Sequence, residues 1–351
     1  MEFYKEEHKY YCGVDLHARS LYICIMDQKG DKLFHRQVPA KRDAFLKVIE
    51  PYREDVAVCV ECMFCWYWVA DLCSEEGITF VLGHALYMKA IHGGKAKNDR
   101  IDSKKIAALL RGGMIPVSYV YPGKMRSTRD LFRRRMHFMW KRAELLSHIQ
   151  NTNSQYNLPE IGVKIARPAD RRRLGDDLIS RFPDPSVQKS IETDATLIDV
   201  YDKLLDDLER YIAKNAVAHD AVGFYLLQSV PGIGRTLGMS ILYEIHTIKR
   251  FKSVQKFLSY SRLVKCMKES AGKKYGKIGS KIGNAYLKWA FCEAAVLFLK
   301  GNKKRQAWFA RLEKKHGKGK ALSILAAKIG RAVYFMLLRK HPFDEEKFLS
   351  C

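Results

Sequence analysis

Four carboxylates occupy positions at which a metal site for phosphate chemistry can form. Asp15 stands near the end of an apolar run, and Glu61 directly follows the apolar run Val56–Val60. A charge at such a place needs a partner or an ion. Asp99 and Asp102 are three residues apart, so on a helix they share one face.

If the two strand ends and this helix converge, the carboxylates repel one another, and Mg²⁺ or Mn²⁺ relieves the repulsion. Two such ions can stabilise the attacking and leaving oxygens of a phosphodiester. The plainer alternative is that Asp15 and Glu61 are ordinary strand-end residues and that Asp102 only caps a helix.

A serine on a basic, glycine-bearing loop is a second candidate for chemistry. Ser270 lies within Lys268–Lys274, whose cations can stabilise the charge that develops when a hydroxyl attacks a phosphate. On composition alone the signal is weak, because most loop serines have no chemical role.

Basic and glycine-rich features predict contacts with phosphates. Gly232 and Gly234 lie in a Pro-Gly-Ile-Gly turn like that of a helix-hairpin-helix, where the backbone approaches a phosphate. A plain helix–helix turn uses the same residues, and a basic helix face can simply be solvated. The side chains predicted to bind nucleic acid are Arg126, Arg129, Arg133, Arg134, Arg172, Lys273, Lys274, Lys277 and Lys281.

The charge balance favours a polyanionic partner. Among 351 residues, 62 are Lys or Arg and 38 are Asp or Glu, which gives a formal charge of +24. Nucleic acid is the usual partner of such a chain, and a membrane surface is the competitor. We expect no membrane association, because no apolar run approaches the ~18 residues of a spanning helix and the N-terminus lacks a signal-peptide layout.

The nine cysteines predict reduced thiols in a cytoplasm, since they are odd in number and form no disulfide framework. Cys59, Cys62 and Cys65 have CxxCxxC spacing, but no second ligand pair follows at the spacing of a zinc finger. We interpret them as small hydrophobic residues.

Three regions with different patterns are predicted, at residues 8–122, 123–222 and 223–345. The first has three strands, a helix, a strand, a helix, a strand and a helix, which is the order of the ribonuclease-H-like α/β fold. Its strands are Tyr10–Leu16, Leu21–Asp27, Lys32–Val38, Val56–Val60 and Ile78–Leu82. Its helices are Lys41–Tyr52, Phe64–Glu76 and one that Asp102 begins.

The second and third regions are predicted to be mostly helical. Ile191, Ile198, Leu205 and Ile212 have heptad spacing, which indicates a coiled-coil or long-hairpin seam and offers a surface for pairing between chains. In the third region we expect a Gly/Lys-rich loop at Lys268–Gly283, followed by a helix that Asn284 caps.

Several short motifs recur in this order in one protein family. They are Gly13-Val14-Asp15-Leu16-His17, Glu61, Lys97–Asp102, Leu109–Gly113, Val230–Gly234, Ser270-Ala271-Gly272 and Lys277–Asn284. The chain thereby resembles, over almost its whole length, the DEDD transposases of the insertion sequence one-hundred-and-ten family, which are RuvC-like, bridge-RNA-guided serine recombinases.

The resemblance implies a RuvC-like nuclease domain at 8–122, a helical coiled-coil region at 123–222 and a transposase domain at 223–345. The implied catalytic residues are the metal ligands Asp15, Glu61, Asp99 and Asp102 and the nucleophile Ser270, with Ser280 as the alternative serine. The implied cofactor is Mg²⁺, with Mn²⁺ as a substitute.

The implied activity is the cutting and rejoining of donor and target double-stranded DNA of a mobile insertion sequence. An element-encoded bridge RNA would guide it, a phosphoserine would be its intermediate, and a homo-oligomer, from dimer to tetramer, would carry it out in a prokaryotic cytoplasm. Two other functions stay open from the residues alone. One is a junction-resolving endonuclease that uses water as the nucleophile, and the other is a non-enzymatic basic protein that binds nucleic acid.

Overall fold

The computed structural model describes residues 2–91, 98–264, 267–277 and 282–350. The chain divides into two compact units, Met1–Gly123 and Lys124–Cys351, which are described separately below. The further division of the second unit at residue 222 stays a prediction.

The first unit is built on a five-stranded sheet of order β3-β2-β1-β4-β5. β1 pairs with β2, and β2 with β3, in antiparallel fashion, whereas β4 and β5 extend the sheet in parallel with β1. The strands are β1 Tyr10–Leu16, β2 Ser20–Asp27, β3 Lys32–Pro39, β4 Val56–Glu61 and β5 Thr79–Gly83.

Among the described residues, three helices follow the strands in the predicted order. They are α1 Arg42–Ile49, α2 Tyr67–Glu75 and α4 Asp99–Arg111. A fourth, α3 Ala85–Ile91, was not predicted. Three helix starts differ from the prediction. α1 begins at Arg42, one residue after the predicted Lys41. α2 begins three residues after Phe64. α4 is capped by Asn98, whose side chain accepts a hydrogen bond from the backbone N–H of Ile101 at 2.8 Å, so Asp102 lies in the first turn and is not the cap.

The sheet has an apolar core on each face, which explains the continuous apolar run of β4. Val58 and Val60 pack in one core, and Ala57 and Cys59 pack in the other. A strand buried on both faces needs apolar residues at successive positions. Cys59 is therefore a core residue, as its sequence context indicated.

Gly13 allows α4 to lie directly against β1. A Cβ atom at Gly13 would stand 2.3 Å from the backbone nitrogen of Ala107 and 2.4 Å from the carbonyl oxygen of Ser103. These are backbone atoms of α4, which cannot rotate away as a side-chain end can. The missing side chain of Gly13 thus fixes the distance between the central strand and the helix that carries Asp99 and Asp102.

The second unit is mostly helical and contains one small β-hairpin. Its helices are α5 Gly123–Gln155, α6 Pro168–Leu174, α7 Asp177–Ser180, α8 Pro185–Gln228, α9 Arg235–Ile245, α10 Val254–Tyr260, α11 Ala285–Phe298, α12 Lys303–His316, α13 Lys318–Arg339 and α14 Glu345–Ser350. The hairpin consists of β6 Met267–Ser270 and β7 Lys273–Lys277, so the segment predicted as a Gly/Lys-rich loop contains two strands.

Ion pairs of two arginines and a hydrogen bond of His148 hold α5 and α8 side by side in opposite directions. Arg135 pairs with Glu209, Arg142 with Asp202, and His148 with Asp194, so residue numbers rise along one helix as they fall along the other. The heptad residues of α8 are all buried within this single chain. They are Ile191, Ile198, Leu205 and Ile212. The expectation that this row offers a free surface for pairing between chains is therefore wrong.

By length and composition, α13 is apolar enough to cross a membrane, although it contains no uninterrupted apolar run of about 18 residues. Lys328 and Arg331 interrupt its apolar sequence. Of its apolar window, 44% is buried inside the protein, and Ile329 and Val333 are fully buried. These features are also those of a core helix.

We predict that Gly13→Ala destabilises the first unit, because the added Cβ meets the backbone of α4. Overpacking of this kind typically costs about 1–3 kcal/mol of unfolding free energy. Urea denaturation measures the loss.

Gly162→Ala is the matched control, since a Cβ at Gly162 meets nothing within 4 Å. Its unfolding free energy should change by no more than about 0.5 kcal/mol. Equal stabilities of the two variants would contradict the close approach of α4 to β1.

Candidate active site

The parallel pairing of β1 and β4 brings two acidic residues to the same sheet edge. Val14 and Val60 are the last paired positions of this ladder, and Asp15 and Glu61 are the next residues on each strand. Neighbouring strands lie about 4.8 Å apart, and residues at the same level of a parallel pair point to the same face. Register therefore places Glu61 beside Asp15.

The first turn of α4 brings further carboxylates to this edge. Gly13 faces α4, and alternation along β1 puts Asp15 on the same face as Gly13. His17 follows directly after the last residue of this strand. The Nε2 atom of His17 lies 3.5 Å from Oδ2 of Asp15 and 3.4 Å from Oδ1 of Asp99. One ligand atom from each of these three residues lies within 4.8 Å of the others.

Electrostatics confirm that this is a crowded acidic site. Burial raises the pKa of Asp15, and its side chain is only 13% exposed. The nearby His17 opposes this rise, whereas the negative charges of Asp99 and Asp102 add to it. Asp102 is thus close enough to act on Asp15, although its own Oδ1 lies 3.9 Å from the Nζ of Lys105.

His17 was not among the residues predicted for the site, although its position two residues after Asp15 could have indicated it. This is the spacing of one strand face. Two carboxylates and an imidazole form a donor set that suits a divalent cation, and the imidazole favours Mn²⁺ more than an all-oxygen site does.

The serine singled out by its basic surroundings lies at the end of β6, next to a tight turn. Ser270 pairs with Lys273 across the hairpin. Ala271 and Gly272 form the turn, and their φ angles are +50° and +73°. Positive φ at both central positions is typical of a two-residue type I′ hairpin turn. The alternative Ser280 and the predicted phosphate-binding Lys281 lie outside the described residues.

Hydrogen bonds to backbone carbonyl groups join the two ends of the segment that carries this hairpin. Nε of Arg262 donates hydrogen bonds to the carbonyl oxygens of Ile282 at 3.1 Å and Gly283 at 2.9 Å. The backbone N–H of Asn284 donates to the carbonyl oxygen of Tyr260 at 2.6 Å. The two ends of the segment are therefore held together just before α11 begins.

Comparisons with known proteins match both candidate regions. A model described as the transposase IS116/IS110/IS902 family matches residues 225–310, and a transposase model of the DEDD type from IS110 elements matches residues 12–157. The chain is 25% identical over 346 residues to a transposase for insertion sequence element IS1111A of Coxiella burnetii, a match that covers 94% of this chain and 90% of the relative.

The chain belongs to the IS110-type transposases. It is accordingly an enzyme that cuts and rejoins DNA, which sets aside the non-enzymatic binding protein. The match to the DEDD-type model contains Asp15, Glu61, Asp99 and Asp102, and the match to the IS116/IS110/IS902 model contains Ser270.

Two of the transposase arginines predicted to bind nucleic acid pair instead with a buried carboxylate. The side chain of Glu244 is fully buried in α9, and it accepts hydrogen bonds from Arg129 and Arg133 of α5 and from Nδ2 of Asn284. Burial opposes ionisation of Glu244, but the two arginines and Asn284 outweigh it and lower its pKa. These contacts give both arginines a structural role.

The other predicted nucleic-acid contacts lie in varied surroundings. Arg134, Arg172 and Lys273 are exposed, whereas Arg126 is buried. Lys274 and Lys277 lie on β7, opposite Glu269 and Met267 in the hairpin register. The exposed Arg134, Arg172 and Lys273 are available to phosphates, and the prediction of phosphate contact rests on them.

The two glycines of the helix-hairpin-helix-like turn have different surroundings. Gly232 has a φ of +89°, and a Cβ there would stand 2.6 Å from the backbone nitrogen of Phe298 in α11. Packing of the turn against α11 thus accounts for Gly232. Gly234 caps α9 in an extended conformation, with nothing within 4 Å of a Cβ placed there. The open backbone at Gly234 is the part of this turn that a phosphate can approach.

We predict that Glu244→Gln strongly destabilises the second unit, since it leaves the half-buried guanidinium groups of Arg129 and Arg133 without their carboxylate. Removing one partner of a buried ion pair typically costs about 3–5 kcal/mol. Denaturant unfolding of the full chain measures this loss.

Glu293→Gln on α11 is the control, because Glu293 is exposed and should change the unfolding free energy by no more than about 0.5 kcal/mol. A small effect of Glu244→Gln would mean that Arg129 and Arg133 do not depend on Glu244.

Proposed function

We propose that this transposase cuts DNA at a RuvC-like metal site made by Asp15, Glu61, Asp99 and Asp102, and rejoins it through a covalent link to Ser270. The observation that carries the proposal is the convergence of Asp15, His17 and Asp99 at the carboxyl end of β1, with Asp102 raising the pKa of Asp15. Nothing in the structural role of a strand end requires acidic groups to be so close.

The sheet supports the RuvC-like, ribonuclease-H-like assignment. Its order, β3-β2-β1-β4-β5, combines an antiparallel meander with two parallel strands reached through α1 and α2. In sheets with parallel strands, sites form beyond the carboxyl ends of those strands. Asp15 and Glu61 occupy those ends on β1 and β4.

The metal we propose is Mg²⁺, with Mn²⁺ as a substitute. Asp15 and Asp99 would hold it, Glu61 and Asp102 would complete the oxygen ligands, and His17 would supply a nitrogen. A bound divalent cation supplies positive charge to the reacting phosphate. When no metal is bound, the carboxylates of this site repel one another.

A serine nucleophile separates this mechanism from a junction-resolving endonuclease that uses water. The hydroxyl oxygen of Ser270 would form a bond to phosphorus while the bond from phosphorus to the leaving DNA oxygen breaks. The proton would pass from the serine to solvent and then to the leaving oxygen. Attack by the DNA hydroxyl of another strand would reverse these steps and free the serine. The two-residue turn after Ser270 supports this role, because it puts the serine next to the tip of the hairpin with Lys273 opposite.

The RNA guide and the assembly belong to the same proposal. The charge of +24 and the exposed Arg134 and Arg172 support binding to RNA as well as to donor and target DNA. We propose a homo-oligomer, from dimer to tetramer, in which carboxylates of one subunit act with Ser270 of another. The enzyme would act on the nucleoid in a prokaryotic cytoplasm.

With the heptad row of α8 buried, the pairing surface of this oligomer must lie elsewhere. Leu197, Leu204 and Tyr211 stand one position earlier on α8 and are 44%, 45% and 57% exposed. This exposed apolar row has the same heptad spacing, so we assign the contact between copies to it.

We predict that Asp15→Asn stabilises the metal-free protein and removes its response to divalent cations. The substitution relieves repulsion with Asp99 and Asp102 while it keeps the shape of the side chain. Wild-type protein should gain about 2.7 kcal/mol at a metal concentration 100 times the dissociation constant. Thermal unfolding with and without Mn²⁺ measures both effects.

Asp27→Asn is the control, because Asp27 lies at the opposite end of the sheet, opposite Tyr10 in the register. This variant should keep the full metal response. A normal metal response in Asp15→Asn would mean that the cation binds elsewhere.

We predict that denaturant trapping of the reaction yields DNA covalently attached to wild-type protein and that Ser270→Ala abolishes this adduct. A gel that separates protein-bound from free labelled DNA is the measurement. Ser259→Ala in α10 is the control and should leave the adduct unchanged. Persistence of the adduct in Ser270→Ala would make Ser280 the next candidate.

Cutting without any adduct in the wild-type protein would favour the endonuclease that uses water. The same assay after ribonuclease treatment tests the guide, since undiminished adduct formation without RNA contradicts the RNA-guided part of the proposal.

A further inference from the structure

The loop between β4 and α2 carries an aromatic ring that the proposed chemistry does not use. Phe64 is 80% exposed, the highest value among the large hydrophobic side chains of the described residues. Single exposed hydrophobic residues are common on protein surfaces. Exposure alone therefore indicates no function for Phe64, and the position of its loop beside the acidic site is the relevant feature.

Hydrogen bonds attach this loop to β1 and β4, which carry the acidic site, and to the neighbouring strand β5. The backbone N–H of Cys62 donates to the carbonyl oxygen of Gly83 at 2.8 Å, and that of Met63 donates to Glu61 at 2.8 Å. The Sγ of Cys65 donates to the carbonyl oxygen of Leu16 at 3.5 Å.

Trp66, which follows, is buried in the core of the sheet and is only 6% exposed. Hydrogen bonds and packing therefore hold the loop on both sides of Phe64, and its ring is exposed between them.

The same attachments put Phe64 at the rim of the acidic site. Phe64 follows Glu61 by three residues, so its Cα lies within about 11 Å of that of Glu61. Leu16, whose carbonyl oxygen accepts the hydrogen bond from Cys65, stands between Asp15 and His17 in the sequence. Successive bases along a DNA strand are about 3.4 Å apart. A strand whose phosphate lies at the carboxylates therefore passes bases within reach of this ring.

We propose that Phe64 contacts a nucleobase of the DNA strand being cut, inserting against the base step beside the reacting phosphate. The inference rests on the proposed function, because it takes the carboxylates as the place where that phosphate binds. Phenylalanine is one of the residues that proteins wedge between base steps, and stacking tolerates any base because each has a π-face. The contact holds the strand so that its phosphate stays at the carboxylates.

The test uses the full-length protein with its copurifying RNA and DNA that carries 2-aminopurine at successive positions around the cut site, with Ca²⁺ to slow cutting. Unstacking of the base beside Phe64 raises 2-aminopurine fluorescence in the wild-type complex. Phe64→Ala should lose this rise and slow single-turnover cutting with Mg²⁺ by roughly 5- to 150-fold, the range expected when one base–aromatic contact is lost. Phe64→Trp should keep both.

Leu33→Ala is the matched control. Leu33 is 44% exposed on the same sheet. It follows Lys32, which pairs with Met26 at the end of the sheet opposite to Asp15. This variant should behave as the wild-type protein does in both assays.

The readouts separate this inference from the metal site itself. Phe64→Ala should keep the stabilisation by Mn²⁺ that Asp15→Asn loses. If Phe64→Ala keeps fluorescence and rate while Asp15→Asn is inactive, the nucleobase contact is overturned and the metal site stands. If Asp15→Asn keeps both its metal response and its cutting, the metal site falls and the location argued for Phe64 falls with it. A change in the sedimentation of DNA-free Phe64→Ala would assign the ring to contact between copies and overturn the proposal.

Discussion

The contact of α4 with β1 at Gly13 is the constraint on which the acidic site depends. A helix ordinarily packs on a sheet through side chains from both elements, at about 10 Å. At Gly13 a Cβ would stand within 2.9 Å of three backbone atoms of α4, so the helix lies closer than a side chain would permit. Asp15 continues the same strand face, and Asp99 begins the same helix. The glycine therefore sets the distance between the two halves of the site.

This closeness has an electrostatic cost that the fold has to bear. Asp15 is half-buried beside two further carboxylates, and its raised pKa shows that its charge is disfavoured there. His17 offsets part of the repulsion from a position between Asp15 and Asp99. The core below is apolar on both faces of β4 and contributes stability that does not depend on the site. Conflict between local stability and function is typical of sites that bind ions or substrates.

Sequence patterns predicted the first unit well because its strands are continuous apolar runs bounded by turns. β1 has the predicted bounds, β2, β3 and β4 differ by one residue at one end, and β5 is shifted by one residue at both ends. The start of α2 was misplaced because Phe64 has the helical spacing but belongs to a loop whose backbone is bonded to strand ends. The hairpin of β6 and β7 was missed because Lys and Gly conceal strand alternation, although Ala271-Gly272 occupies a two-residue turn. His17 was overlooked because a search for carboxylates gives an imidazole no weight.

The arginines show why charge composition alone cannot locate a nucleic-acid surface. α5 is strongly basic in sequence, yet Arg129 and Arg133 pair with Glu244, Arg135 with Glu209, and Arg142 with Asp202. Arg171, from the second basic cluster, pairs with Asp199 and Asp202. These guanidinium groups bind acidic partners from residues distant in sequence, so no local pattern predicts which cations remain exposed. In each cluster an exposed neighbour remains, Arg134 in α5 and Arg172 in α6. A cluster of arginines on a helix can therefore both pair with internal carboxylates and remain exposed to phosphates, because one face of the helix points to the interior and the other to the solvent. The positive surface available to phosphates is therefore formed by the arginines that do not pair with internal carboxylates.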